Sequence, residues 1–317
     1  MILFAFFILL LYGFVSGDED WSYFSLKRHG NFTYFECSSE DRPPSNINTR
    51  KVIIDSSLPP LQFLNYNLTY KDLKVINDGR SVKLETSRTA SGDVPMITSS
   101  LFNWQYYRLL QCHFHWSHDS NETDSGAEHL INGIQFPMEA HCVHVKANLT
   151  SEEEKIGGNL IILAIFFDLD DQDDNNPILD DLIRDLETVQ NNKSIATVSS
   201  WRWDKLLPDF VDDFFWYNGS LKTPTCSEIV QWILFTQPVV MSKKQLTQFR
   251  QMMQKIPIQN VAHTLDPTAV TFASNRTLKP IFGRKIFWRR VDNSARTKIL
   301  PRLLFIFVFS TFFYLYF

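Results

Sequence analysis

Residues 111 to 116 read Gln-Cys-His-Phe-His-Trp, and residues 138 to 144 read Met-Glu-Ala-His-Cys-Val-His. Imidazole titrates near neutrality and is the commonest protein ligand for metals, so four of the chain's eight histidines gathered in two short stretches point to acid-base or metal chemistry. In a strand, residues two apart share a face, which puts Gln111, His113 and His115 on one side and Cys112, Phe114 and Trp116 on the other. By the same rule Glu139, His141 and Val143 share a face, opposite Ala140, Cys142 and His144. If the two strands pair with His113 facing His141, three imidazoles reach one ion and leave a fourth position open, as a catalytic Zn2+ site requires. Gln111 and Glu139 would then accept the second ring N–H of ligand histidines and fix their tautomers. For His-Phe-His alone, core histidines satisfied by polar neighbours are the stronger reading. The Glu-x-His in matching phase on the second segment shifts the balance to a metal. His144 faces away and is expected to pack in the core.

The elements that must position these residues are legible as short Val/Ile/Phe/Tyr-rich runs between turn residues. Strands are expected at 61–70, 81–86, 106–116, 138–147 and 159–167, the last apolar on both faces as a central buried strand would be. One helix is expected after Pro177, where Leu179, Leu182, Ile183, Leu186 and Val189 recur at helical spacing. A second is expected after Ser242, a suitable N-cap, through Leu246, Phe249 and Met253. The acidic run 168–176 lacks the glycine and glutamate positions of an EF-hand and reads as a solvated loop. The fold class is mainly β with peripheral helices (α+β).

At 317 residues and 44% hydrophobic, the chain can bury one sizeable core. A net charge of −4 with no basic stripe argues against nucleic acid as a partner. Residues 1–17 read as a cleaved secretory signal, an apolar run closed by the small residues expected at a cleavage site. Residues 293–317 read as a signal exchanged for a glycosylphosphatidylinositol (GPI) anchor: small residues at Asn293, Ser294 and Ala295, a basic spacer, and a terminal apolar tail too short for an ordinary span. An uncleaved membrane tail is the alternative. Secretion agrees with seven N-x-S/T acceptors at Asn31, Asn67, Asn121, Asn148, Asn192, Asn218 and Asn275. The domain between, 18–292, would lie on the extracellular face of the plasma membrane, tied by its lipid to the outer leaflet.

The ordered set QCHFHW, AEHL at 127–130, MEAHCVH and GSLKTPTC at 219–226 resembles the α-class carbonic anhydrases, particularly their secreted and GPI-anchored members. The resemblance extends over about residues 20–288, with further matches at Trp21, Tyr23, PPSNINT (43–49), QWILFTQP (231–238) and Arg284. It implies a large twisted, mostly antiparallel central sheet and reversible hydration of carbon dioxide to bicarbonate and a proton. It also implies zinc on His113, His115 and His141, Gln111 and Glu139 as outer partners, and Glu128 in the catalytic hydrogen-bond chain. Val143, Ile162, Leu221, Val230 and Trp232 match the apolar substrate pocket. Cys37 and Cys226 match the disulfide of secreted members. Cys112 and Cys142 would then face each other on the far side of the sheet, where two buried thiols are the expected state and a cross-strand disulfide the alternative.

Two positions depart from the pattern. Lys222 stands where the family has a threonine whose hydroxyl accepts from the nucleophile and donates to the buried glutamate. Lysine has only donors, so that gate is lost, and Thr223 next door is a partial substitute. Arg80 stands at the usual proton-shuttle position and cannot titrate near neutrality. The expected function is therefore a slowed zinc carbonate dehydratase. A catalytically silent, zinc-holding surface module is the alternative, and another zinc hydrolase such as an esterase is the third reading.

Overall fold

The computed structural model describes residues 46–77, 81–86, 92–117, 126–149, 159–186, 194–198, 200–219, 230–254 and 284–291. In chain order its strands are β1 (Asn46–Ile47), β2 (Ile53–Ile54), β3 (Gln62–Leu64), β4 (Leu73–Asn77), β5 (Val82–Glu85), β6 (Met96–Thr98), β7 (Tyr107–Trp116), β8 (Leu130–Ile131), β9 (Ile134–Gln135), β10 (Met138–Lys146) and β11 (Leu160–Leu169). After α1 (Pro177–Leu186) come β12 (Ser194–Val198), β13 (Phe214–Gly219), β14 (Val230–Phe235), β15 (Val239–Met241), α2 (Lys243–Gln254) and β16 (Phe287–Arg289).

One 13-stranded sheet dominates, with the order β12-β4-β5-β7-β10-β11-β14-β13-β16-β2. Its pairs are mostly antiparallel; β14 and β15 run parallel to β11, and β2 runs parallel to β16. β11 lies at the centre, and nine of its ten residues are buried. That burial on both faces explains its unbroken apolar run, since neither side meets water. Cys112, Phe114, Ala140, Leu163 and Ile165 form the far-side core with Leu179, Leu182, Leu246 and Phe249 of the two helices. Ile162, Ala164, Phe166, Tyr217, Trp232 and Leu234 form a second core on the near side.

Both helices begin where the sequence signals them. Asn176 Oδ1 accepts from the Ile178 N–H at 3.2 Å, with Pro177 in the first turn where its missing N–H costs nothing. At α2, the Gln245 N–H donates to Ser242 Oγ at 3.1 Å and the Ser242 N–H to Gln245 Oε1 at 3.2 Å, a reciprocal capping box. Asp170 accepts from the main-chain N–H groups of Gln172 and Asp174, and Asp173 from that of Lys243 at the start of α2. The exposed loop begins later than expected, because Asp168 and Leu169 belong to β11 and Asp168 is buried. The strand expected over 61–70 is shorter. Only Gln62–Leu64 forms a strand, with Tyr70 in an isolated antiparallel bridge to Trp201, because Asn65 takes a left-handed φ of 62° and turns the chain away.

Among the described residues, no helix is long and apolar enough to cross a membrane. The expected signal, anchor segment and first 45 residues lie outside the described residues, as do Arg80, Leu221, Lys222, Thr223, Cys37 and Cys226.

Candidate metal centre

β7 and β10 pair antiparallel with His113 opposite His141, His115 opposite Glu139 and Gln111 opposite Val143. The register therefore sets the three imidazoles on one face, with ring centroids 4.5–5.3 Å apart. One ligand nitrogen from each ring falls within 4.8 Å of the others. Cys112, Phe114 and Trp116 are buried on the opposite side of β7, while Gln111, His113 and His115 are half-buried and face the more open side.

Proton positions follow from the partners. The His113 Nδ1–H donates to Gln111 Oε1 at 3.0 Å, which leaves the Nε2 lone pair for a ligand. The His141 Nε2–H donates to Glu139 Oε1 at 2.6 Å, which leaves Nδ1. Glu128 Oε2 lies 3.5 Å from His115 Nε2 and 3.7 Å from His141 Nδ1, a buried carboxylate at the edge of the trio. Three converging neutral imidazoles, two with outer partners that fix their tautomer, are a donor set that fits a divalent zinc ion.

Glu139 anchors this arrangement. Its Oε2 accepts the main-chain N–H of Glu128 at 2.7 Å and of His129 at 2.8 Å, and its Oε1 accepts from His129 Nδ1 at 2.6 Å as well as from His141. Burial alone would raise this carboxyl; beside His129 and His141 it is held well below the usual carboxylate range. Because its oxygens are committed to these four donors, the nearby grouping of His129, Glu139 and His141 reads as a hydrogen-bond hub rather than a second metal site.

His129 and Tyr217 are parts of the site that sequence reasoning missed. The Tyr217 O–H donates to His129 Nε2 at 2.7 Å, extending the chain from the sheet's next strands to Glu139. Within AEHL, His129 follows Glu128 with no periodic signal, so only the fold brings it to Glu139. Gly126 explains how this segment approaches so closely: a Cβ there would lie 2.0 Å from the Pro137 carbonyl oxygen. Asn132 and Gly133, both at positive φ, then form the two-residue turn of the β8–β9 hairpin.

Three of the apolar residues expected around the substrate, Val143, Ile162 and Trp232, line up in one row across the sheet, which Tyr217 continues. Val143 pairs with Ile162, Ile162 with Trp232, and Trp232 with Tyr217. Trp232 also packs its ring 5.0 Å from that of His141. Val230 is buried in the same cluster. Arg284 stacks over the Tyr217 ring at 5.8 Å. His144, as expected, faces the other core. Its Nδ1–H donates to the Cys142 carbonyl at 2.9 Å and Nε2 accepts from the Tyr66 O–H at 2.5 Å. Burial pushes this imidazole down to about 3 and the Tyr66 phenol well above its ordinary 10.

One expectation is corrected. Cys112 and Cys142 are not thiols but a disulfide, formed because the register sets them directly opposite with Cα atoms 4.0 Å apart. Among the described residues no cysteine is free. The three described sequon asparagines, Asn67, Asn148 and Asn218, are all exposed.

The profile of the eukaryotic-type carbonic anhydrase family matches residues 20–290. Carbonic anhydrase 6 of Mus musculus is 30% identical over 238 residues, covering 73% of this chain and 72% of that protein. A putative carbonic anhydrase 3 of Caenorhabditis elegans is 31% identical over 224 residues, 70% of this chain and 84% of the relative. A carbonic anhydrase-related protein of Rattus norvegicus is 30% identical over 223 residues, 68% and 73% respectively.

Proposed function

The chain belongs to the eukaryotic-type carbonic anhydrases, the α class, and from that premise we propose that it catalyses the zinc-dependent, reversible hydration of carbon dioxide at the cell surface. The single observation that carries this reading is the register of β7 against β10, which gathers His113, His115 and His141 with their outer partners on one face. Zinc, when bound, supplies a Lewis acid that lowers the pKa of water to about 7.

The chain's own residues do the rest. His113 and His141 present lone pairs because Gln111 and Glu139 take their other ring protons. Val143, Ile162, Val230 and Trp232 offer an apolar wall where a linear, uncharged substrate is held without competing hydrogen bonds, and the family resemblance adds Leu221 to it. Glu128 sets a negative charge beside the trio and favours a bound cation. Bicarbonate and one proton leave. Arg80 cannot carry that proton, so release to bulk passes through buffer or another rim group. Residues 1–17 serve as the secretory signal, 18–292 as the catalytic domain and 293–317 as the segment exchanged for a lipid anchor. Glycans occupy exposed sequons such as Asn67, Asn148 and Asn218.

Lys222 in place of an accepting hydroxyl favours one competing reading, a zinc-holding surface module without turnover. Stopped-flow hydration of carbon dioxide by the 18–292 domain decides between them. A wild-type rate above that of buffer supports the enzyme. No rate in wild type, with turnover appearing in Lys222→Thr, supports the silent module.

A further inference from the structure

The disulfide sits in an unusual relation to the proposed ligands. Cys112 immediately precedes His113, and Cys142 immediately follows His141. The two cysteines are 0% and 3% exposed, and they bridge the same two strands that the metal would bridge from the other face. Their Cα separation of 4.0 Å is that of a close antiparallel pair, whose backbone groups turn outward to other neighbours rather than to each other. At that point of the ladder the covalent bond supplies the tie that main-chain hydrogen bonds do not. On the next strand, Leu84 of β5 stands in register with Cys112, and Leu163 of β11 with Cys142, so the bond is clamped by buried apolar neighbours on both sides. The Cys142 carbonyl is held in turn by His144, which Tyr66 fixes.

Zinc tolerates deviations of only about 0.2 Å in its ligand distances. A change in strand separation or twist at the 112/142 pair passes directly to the His113/His141 pair one residue away, because successive residues of one strand share a rigid backbone. A metal held by two strands is released through motions that part those strands.

We infer that the Cys112–Cys142 bond is a positioning element of the metal centre, which fixes the separation of the two ligand strands and slows metal loss. The inference rests on the zinc-site reading proposed above. Cys112 and Cys142 touch neither metal nor substrate; they act through His113 and His141.

The test compares the wild-type domain with Cys112→Ala/Cys142→Ala, and with Leu182→Ala as a control that removes buried volume from α1, which packs on α2 and β12. Zinc is loaded, and its transfer to an excess chromogenic chelator is timed under native conditions; visible absorption of the Co2+-loaded proteins is recorded in parallel. The expected result is release at least tenfold faster in the double-cysteine variant and an altered cobalt spectrum. Leu182→Ala should change neither by more than about twofold even where its unfolding midpoint falls as far. Equal release from wild type and cysteine variant, or equal acceleration in Leu182→Ala, overturns the inference and leaves the metal site standing. A wild-type domain that binds neither Zn2+ nor Co2+ overturns the site itself. Should the alanine pair fail to fold, Cys112→Val/Cys142→Ala, which refills the space, carries the same comparison.

Discussion

Glu139 accepts four hydrogen bonds in a buried site, and every one comes from an N–H fixed by the backbone or an imidazole. Glu139→Gln turns one acceptor into a donor facing donors, which leaves at least one buried N–H unsatisfied and loosens His141. We expect zinc affinity to fall about 10- to 100-fold, as read by chelator competition. Lys222→Thr restores an accepting hydroxyl, and hydration kcat should rise tenfold or more in stopped flow. His144 gives a pH dependence independent of the metal. Its folded imidazole stays neutral down to about pH 3, whereas the unfolded one protonates near its ordinary 6.5. Across that window the unfolded chain binds more protons, so stability is fully present above 6.5 and is lost as pH falls toward 3, by up to about 1.4 kcal/mol per unit. Denaturant midpoints of His144→Gln, which retains an acceptor for Tyr66, should show a shallower acid slope than wild type.

At the scale of elements, the strand pair β7–β10 was readable because two-residue alternation holds from Gln111 to Trp116 and from Met138 to Val143, although the ladder shifts register between Val143 and His144, which the sequence does not announce. Phase alone put His113 and His115 on a common face and His144 on the other. What phase does not give is whether two facing cysteines are bonded. That depends on how the paired side chains are oriented, which sequence cannot supply; the structure shows the bond formed between the two directly opposed residues. A closed loop of 30 residues contributes about 3 to 4 kcal/mol on the chain-entropy account. The strand expected over 61–70 failed for a different reason: its β-rich composition hides Asn65, which leaves the extended region. Ser242 was readable as a cap because it is a capping residue type just ahead of the helical spacing of Leu246, Phe249 and Met253; the reciprocal bond with Gln245 came from the structure. Ser242→Ala should lower unfolding stability by about 1 kcal/mol, measured by urea titration, without altering metal content.

For the molecule as a whole, the mainly β architecture followed from recurrent short apolar runs, and the central place of β11 from its lack of polar alternation. The hub of His129 and Tyr217 did not, since 88 residues separate them and no periodicity links AEHL to β13. Long-range polar pairs of this kind are created by sheet order, and sheet order is what local pattern leaves open. The central claim is that this order builds one zinc centre on β7 and β10. Native mass spectrometry of the purified 18–292 domain, beside His113→Ala/His115→Ala, tests it most directly. One Zn2+ per wild-type chain and none in the variant is the predicted result; a metal-free wild type, or zinc retained equally without those two imidazoles, would contradict it.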